Sequence, residues 1–180
     1  MDILKHMRLL AQYSHWMNQK VYDAAGKLPT AQLAENRGAF FGSLLNTLNH
    51  LVATDIIWGH RLGAHPTARA ALAPILEMQR PTALDQVLHN DLPSLRNTRQ
   101  QLDEVLIAWT GALTLPDLDY VLEYRNMKGV PQRKVYGSLV LNLFSHHTHH
   151  RGQATTLLFQ LGQDVGVTDL LALIPDEGAA

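Results

Sequence analysis

The sequence predicts an all-α four-helix bundle with a short β-hairpin before the last long helix. Three observations carry that expectation. Four segments repeat apolar residues at helical spacing. Between Gly111 and Gly137 the pattern changes, and Tyr120-Val-Leu-Glu-Tyr124 and Arg133-Lys-Val-Tyr136 flank Asn126-Met-Lys-Gly129 as two strands flank a turn. The last helix carries two histidines on its core-facing stripe, and bundles build their sites in the core from side chains on facing helices.

Ile3, Met7, Leu10, Ser14, Met17, Val21 and Leu28 place the first helix before Pro29, with Tyr13 and Trp16 expected at a helix crossing. A polar linker with Gly38 and Gly42 leads to Ser43, the expected N-cap of a second helix running to about Gly63. Leu44, Leu48, Leu51, Asp55, Trp58 and Leu62 share one face of that helix, and Leu45, Val52 and Ile56 widen the arc, so burial on more than one side is expected. Gly63 to Pro81 reads as a loop with scattered alanines. A third helix is expected to begin over Thr82 to His89 and to restart at Asp91-Leu-Pro93, because proline is tolerated in a first turn. Leu88, Leu95, Leu102 and Trp109 recur every seven residues as a coiled-coil-like seam, with Arg96, Arg99, Asp103 and Glu104 on its solvated face. The hairpin leads into the fourth helix, Gly137 to Gly162, and Thr168 to Ile174 is expected to add a helical turn or two before an acidic tail.

A chain of 180 residues, 46% hydrophobic and with a net charge of −1, suits one domain over residues 1–180 with a full core. That charge balance gives no electrostatic reason to expect nucleic acid as a partner. The chain has no cysteine, which excludes a disulfide framework, a cysteine nucleophile and a thiolate metal site. No apolar run reaches membrane-spanning length and the N-terminus lacks a signal peptide's apolar core, so no membrane contact is expected and the cytoplasm is the expected location.

The chemistry concentrates in the fourth helix. At about 100° per residue, Leu139, Leu143, His146, His150, Ala154, Leu157 and Leu161 fall on one narrow stripe. The two imidazoles stand one turn apart, with Cβ atoms about 5–6 Å from each other, so both can close on one cation at about 2.0–2.1 Å. A lone buried histidine is more often a hydrogen-bonded core residue, and a histidine-rich tract can be a solvated run. Two neutral imidazoles within an aliphatic stripe fit neither description well, because each needs a buried partner. Two ligands are too few for tight binding, so the third must come from another helix. His50 lies on the edge of the second helix's apolar arc and His60 on its polar side, and periodicity does not choose between them. His147 and His149 are expected to point elsewhere, His149 alongside Asn142 and Gln153 on the polar flank. Asp55, unusual among apolar neighbours, reads as a carboxylate that accepts hydrogen bonds from a neighbouring helix or caps a loop.

The run His146-His-Thr-His-His150-Arg-Gly-Gln153 resembles the signature of the DinB/YfiT-like bundle proteins. Tyr13-x-x-Trp16-x-Asn18, Phe40-Phe-Gly-Ser43, His50 with Asp55, Trp58 and Arg61, Tyr124-Arg-Asn-Met-Lys-Gly129 and Thr168-Asp-Leu170 extend the resemblance along most of the chain. It implies an up-down-down-up bundle and a divalent metal site formed by His50, His146 and His150, which selects His50 over His60. One related branch has glutamate in place of a histidine ligand, whereas this chain keeps histidine at all three positions. Relatives include transferases and isomerases that use low-molecular-weight thiols such as bacillithiol, mycothiol or glutathione. Many other members are known only as candidate metalloenzymes, named for induction after DNA damage.

Three imidazoles leave coordination positions open, and an all-nitrogen set suits zinc, nickel, iron(II) or cobalt alike. The expectation is therefore a metal-dependent enzyme of the small-thiol S-transferase type, with a metal-dependent hydrolase and a non-enzymatic metal-binding stress-response module as alternatives. His149, Gln153 and Asp55 are the side chains expected to support the ligands or the substrate. Tyr13 is a further candidate base, and no catalytic residue is assigned. The expected partners are a small-molecule substrate or thiol, and a homodimer is compatible with the sequence.

Overall fold

The computed structural model describes residues 2–176 and 178. In chain order its elements are α1 (Ile3–Ala25), α2 (Thr30–Ala34), α3 (Leu44–Leu62), α4 (Ala73–Leu76), α5 (Leu92–Ala112) and α6 (Leu115–Asp119). They are followed by β1 (Val121–Arg125), β2 (Pro131–Val135), α7 (Tyr136–Gln160) and a 3-10 turn over Leu170–Leu173. Three of the four long helices, α1, α3 and α5, begin where side-chain oxygens satisfy free N–H groups, whereas α7 follows directly from β2 without a side-chain cap. Asp2 accepts from Leu4 and Lys5, Ser43 from Asn46, and Asp91 from Ser94, with Pro93 in the first turn of α5. Among the described residues no helix is long and apolar enough to cross a membrane.

α1 packs against α5 and α7, and α3 packs against the same two. The contacts fix the direction of each helix. Arg8 reaches Gly111, Asn18 reaches Asp103 and Asp23 reaches Arg96, so α1 and α5 are antiparallel. Asp55 meets His147 while Tyr136 donates to the Leu62 carbonyl, so α3 and α7 are antiparallel too. Asn49 binds His89 and Asp55 binds Arg99, which makes α3 and α5 parallel. The result is the expected up-down-down-up bundle. The seam residues Leu95, Leu102 and Trp109 are all buried at its centre. The hairpin pairs Val121 with Val135 through Arg125 with Pro131, and hands the chain straight to α7.

Parallel α3 and α5 require the intervening chain to travel back along the bundle, about 28 Å for a 19-residue helix. Here the structure corrects the reading of Thr82 to His89 as the start of a helix: these residues are irregular, and the only helix in the crossover is the short α4. The reason is competition for backbone groups. The buried Asn49 side chain accepts from the N–H groups of Leu88 and His89 and donates to the His89 carbonyl, which draws the strap along α3 instead of into a helical turn.

Gly59 sits where α4 crosses α3. A Cβ added there would lie 2.3 Å from Cγ2 and 3.1 Å from Cβ of the fully buried Ile75. Alanine has the better helix propensity by about 1 kcal/mol, but overpacking against an immobile neighbour costs about 1–3 kcal/mol. Gly59→Ala is expected to lower stability by about 1–2 kcal/mol in chemical denaturation. A stabilised variant would mean that α4 is not held against α3.

Candidate metal centre

α3 contributes His50, one turn beyond its N-terminal residues, and α7 contributes His146 and His150 from successive turns of its core stripe. His50 Nε2 lies 3.2 Å from His146 Nε2 and 3.2 Å from His150 Nε2. One ring nitrogen from each of the three lies within 4.8 Å of the other two. The resemblance named the same three residues, and His60 is elsewhere, with its Nε2 on the Met78 carbonyl.

Neighbouring acceptors settle which nitrogen is free in two of the three rings. His50 Nδ1 donates to the Leu84 carbonyl at 2.7 Å, and His150 Nδ1 donates to Gln153 Oε1 at 2.8 Å. Both rings therefore turn unprotonated Nε2 atoms inward. Burial pushes the pKa of His50 and of His150 down, although the Leu84 carbonyl and Gln153 work against it. Burial, reinforced by His150, pushes His146 down to about 3. Its Nδ1 is buried without a hydrogen-bond partner.

The inward Nε2 atoms of His50 and His150 then face each other lone pair to lone pair at 3.2 Å, which is repulsive with nothing between them. A tetrahedral cation with Zn–N bonds of about 2.0–2.1 Å separates its nitrogens by about 3.3 Å, which is close to the spacing here. The donor set thus fits a divalent cation: three His side chains could hold one, with coordination positions left over. Phe41 stacks on the His50 ring at 4.0 Å between centroids and stands 5.5 Å from His150, shielding that side from water.

Sequence reasoning missed two of these supports. Phe41 was visible only as part of Phe40-Phe-Gly-Ser43, and an aromatic after a polar linker does not announce which ring it will cover. The Leu84 carbonyl left no trace, since every residue carries one. Gln153, expected on the polar flank, touches a ligand directly and joins it to exposed His149, 3.4 Å away. Tyr13 is remote: its hydroxyl donates to the Thr168 carbonyl.

A second polar cluster lies one helix face away. His147 is not directed elsewhere, as its place off the stripe suggested, but is 1% exposed and bonded to Asp55 through Nε2 and to Ser14 through Nδ1. Arg99 and Asp103 are likewise buried and not on a solvated face. Arg99 pairs with Asp55 and Asp103, Asn18 donates to Asp103, and Arg151 donates to Ser14. The misreading has one cause: the bundle closes on four sides, so a heptad seam on one face does not leave the flanking faces in water. Asp55 accepts from neighbouring helices and touches none of the three inward-facing histidines; it holds α7 through His147. Asp55, His147 and Ser14 have the composition of a nucleophile triad, but Ser14 is 2% exposed and accepts from Arg151, so no substrate reaches it.

Two cavities flank the centre along α7. One of about 450 Å³ includes Arg37, Phe40, His149 and Gln153, and the other, about 580 Å³, lies toward the hairpin.

Comparison with known proteins agrees with the fold. Residues 3–177 match the DinB family. Protein DinB of Bacillus subtilis (strain 168) is 22% identical over 160 residues, which cover 89% of this chain and 88% of that protein. A crystal structure of a DinB-like protein from Bacillus cereus ATCC 10987 has 21% sequence identity and a TM-score of 0.56, covering 87% of this chain and 91% of the other. With the family match running over residues 3–177, nearly the whole chain, this protein belongs to the DinB family.

Proposed function

We propose that the protein is a divalent-metal enzyme that joins a low-molecular-weight thiol to an electrophilic small molecule. The observation that supports this most is the convergence of three neutral imidazole nitrogens with no fourth metal-binding side chain beside them among the described residues. Catalytic sites keep such an open position, whereas structural zinc sites are closed by four ligands. A bound divalent cation supplies the positive charge that keeps a thiol deprotonated at neutral pH. The chain has no cysteine of its own, so the sulfur must come from a separate molecule.

The protein's own residues do the holding. Leu84 and Gln153 fix the tautomers of His50 and His150, which keeps both Nε2 lone pairs directed inward through the reaction. Phe41 excludes water on one side. His149 and Gln153, at the mouth of the smaller cavity, are placed to orient the electrophile. In the transfer the sulfur electron pair forms the new S–C bond, the electrons of the broken bond leave with the departing group, and the thiol proton passes to solvent.

Metal-loaded protein is expected to conjugate glutathione, bacillithiol or mycothiol to chlorodinitrobenzene about tenfold or more faster than chelated protein, with His146→Ala reduced to the chelated rate. No metal-dependent rate with any of the three thiols would overturn the thiol reading. Metal-dependent cleavage of an activated ester would then identify a hydrolase, and loss of both activities a metal-binding module.

A further inference from the structure

Arg151 is buried in the bundle with no carboxylate against it. It follows His150 on α7, is 3% exposed, and forms no salt bridge among the described residues. The buried carboxylates of the neighbouring cluster, Asp55 and Asp103, are both held by Arg99 and attract Arg151 only from a distance. A guanidinium has five N–H donors, and here Nη1 donates to Ser14 Oγ at 2.6 Å. Nε and Nη2 have no protein acceptor among the described residues. The Tyr13 ring covers one face, its centroid 5.3 Å from the guanidinium carbon, which replaces a charged partner only in part. Water can take the remaining hydrogen bonds, but only an anion also offsets the buried charge beside it.

Arg151 lines a third cavity, of about 140 Å³, between α1, α7 and the segment before the 3-10 turn. Tyr13, Met17, Thr148, Thr155 and Thr168 share its wall, and no acidic side chain is among the lining residues. The Thr148 and Thr155 hydroxyls donate to the Phe144 and Gly152 carbonyls of α7. Those carbonyls also accept within the helix ladder, so either hydroxyl can turn to a ligand without orphaning its present acceptor. The volume is roughly that of four or five waters at about 30 Å³ each. That admits a small oxyanion and falls below the roughly 300 Å³ at which sites for larger organic ligands begin. The guanidinium fork matches two oxygens of a carboxylate or a phosphate.

We infer that this cavity binds a small oxyanion, phosphate or a simple carboxylate, on the free N–H groups of Arg151. Thr148 and Thr155 complete the site from α7. Tyr13, whose hydroxyl donates to the Thr168 carbonyl at 2.6 Å, closes it from α1. The bound anion therefore ties the last helix to α1 and to the segment carrying Thr168. The site requires neither the metal nor a thiol and stands apart from the function proposed above. Open positions on a bound metal would also take an oxyanion, and the test separates the two.

Thermal unfolding and isothermal titration of the metal-loaded protein provide it, with inorganic phosphate, acetate and chloride as probes at matched ionic strength. At a tenfold excess over its Kd, phosphate or acetate should raise the unfolding midpoint by about 3–5 °C, and chloride should not. Thr155→Leu fills the cavity with a better helix former at a half-buried position and is expected to fold. It should weaken the oxyanion by about tenfold or more, whereas Thr155→Ser, which keeps the hydroxyl, should cost less than about threefold. Arg151→Lys, which loses the planar fork, should also weaken it by about tenfold. His146→Ala, which weakens the metal centre, should leave oxyanion affinity unchanged. Affinity lost in His146→Ala but kept in Thr155→Leu would place the ion on the metal and overturn the inference. A wild-type protein that responds to all three anions alike, or to none, would overturn it too. A response to phosphate alone or to acetate alone, abolished by Thr155→Leu, would support the site and identify its oxyanion.

Discussion

His50→Ala is expected to lower affinity for zinc or nickel by about two orders of magnitude or more. Four-ligand structural zinc sites bind with about 10–16 kcal/mol, so one ligand is worth roughly 3 kcal/mol, or about two decades in Kd. His50 is the only one of the three contributed by α3, and its Nε2 lies 3.2 Å from both partners on α7. Without it the centre reduces to an i, i+4 pair on one helix. Competition titration with a chromophoric chelator measures the loss, and elemental analysis of purified protein checks it. His60→Ala is the control, since that ring bonds the Met78 carbonyl away from the centre and should retain wild-type affinity. Equal affinity in His50→Ala would remove α3 from the metal site.

The second large effect concerns the neighbouring cluster. Asp55→Asn is expected to cost about 3–5 kcal/mol of stability, although it changes only one atom in the side chain. Asp55 is 1% exposed. Burial alone would favour its neutral form, but His147 and Arg99 hold its pKa far below the usual carboxylate range, so it is charged at neutral pH. Its two oxygens accept from Arg99 and His147. An amide there keeps one acceptor and turns an NH2 group toward a donor, leaving charge on Arg99 less compensated in a dry interior. Urea denaturation should show a lower midpoint at an unchanged m-value. A cost under about 1 kcal/mol would mean that water or a rotated His147 takes up the lost bond.

Much of the bundle was legible because its signals are local and repeated. Seven-residue spacing found Leu95, Leu102 and Trp109, the caps Ser43 and Asp91 marked helix starts, and the turn Asn126 to Gly129 marked the hairpin. The pair His146 and His150 stood out because two polar rings interrupted an aliphatic stripe. What escaped was whatever depends on which helices become neighbours. Arg99, Asp103 and His147 are polar on any helical wheel, and only the packing of α1, α3, α5 and α7 around them turns those faces inward. The path of Thr82 to His89 depended on Asn49, some forty residues away in the chain, and pairwise propensity carries no information at that range.

The chain separation of the centre's ligands also constrains when it can exist. His50 and His150 are 100 residues apart, and the bond from Ser14 to His147 spans 133. α1, α3 and α5 can assemble while the end of the chain is still absent, but both polar clusters remain incomplete until α7 inserts. Contacts of such long range form late, after the entropy of closing the intervening chain has been overcome. A cation therefore cannot template the early steps of folding. Full affinity requires α7 to be in register with α3, so a cation favours the finished bundle over partly folded forms that present at most the His146–His150 pair.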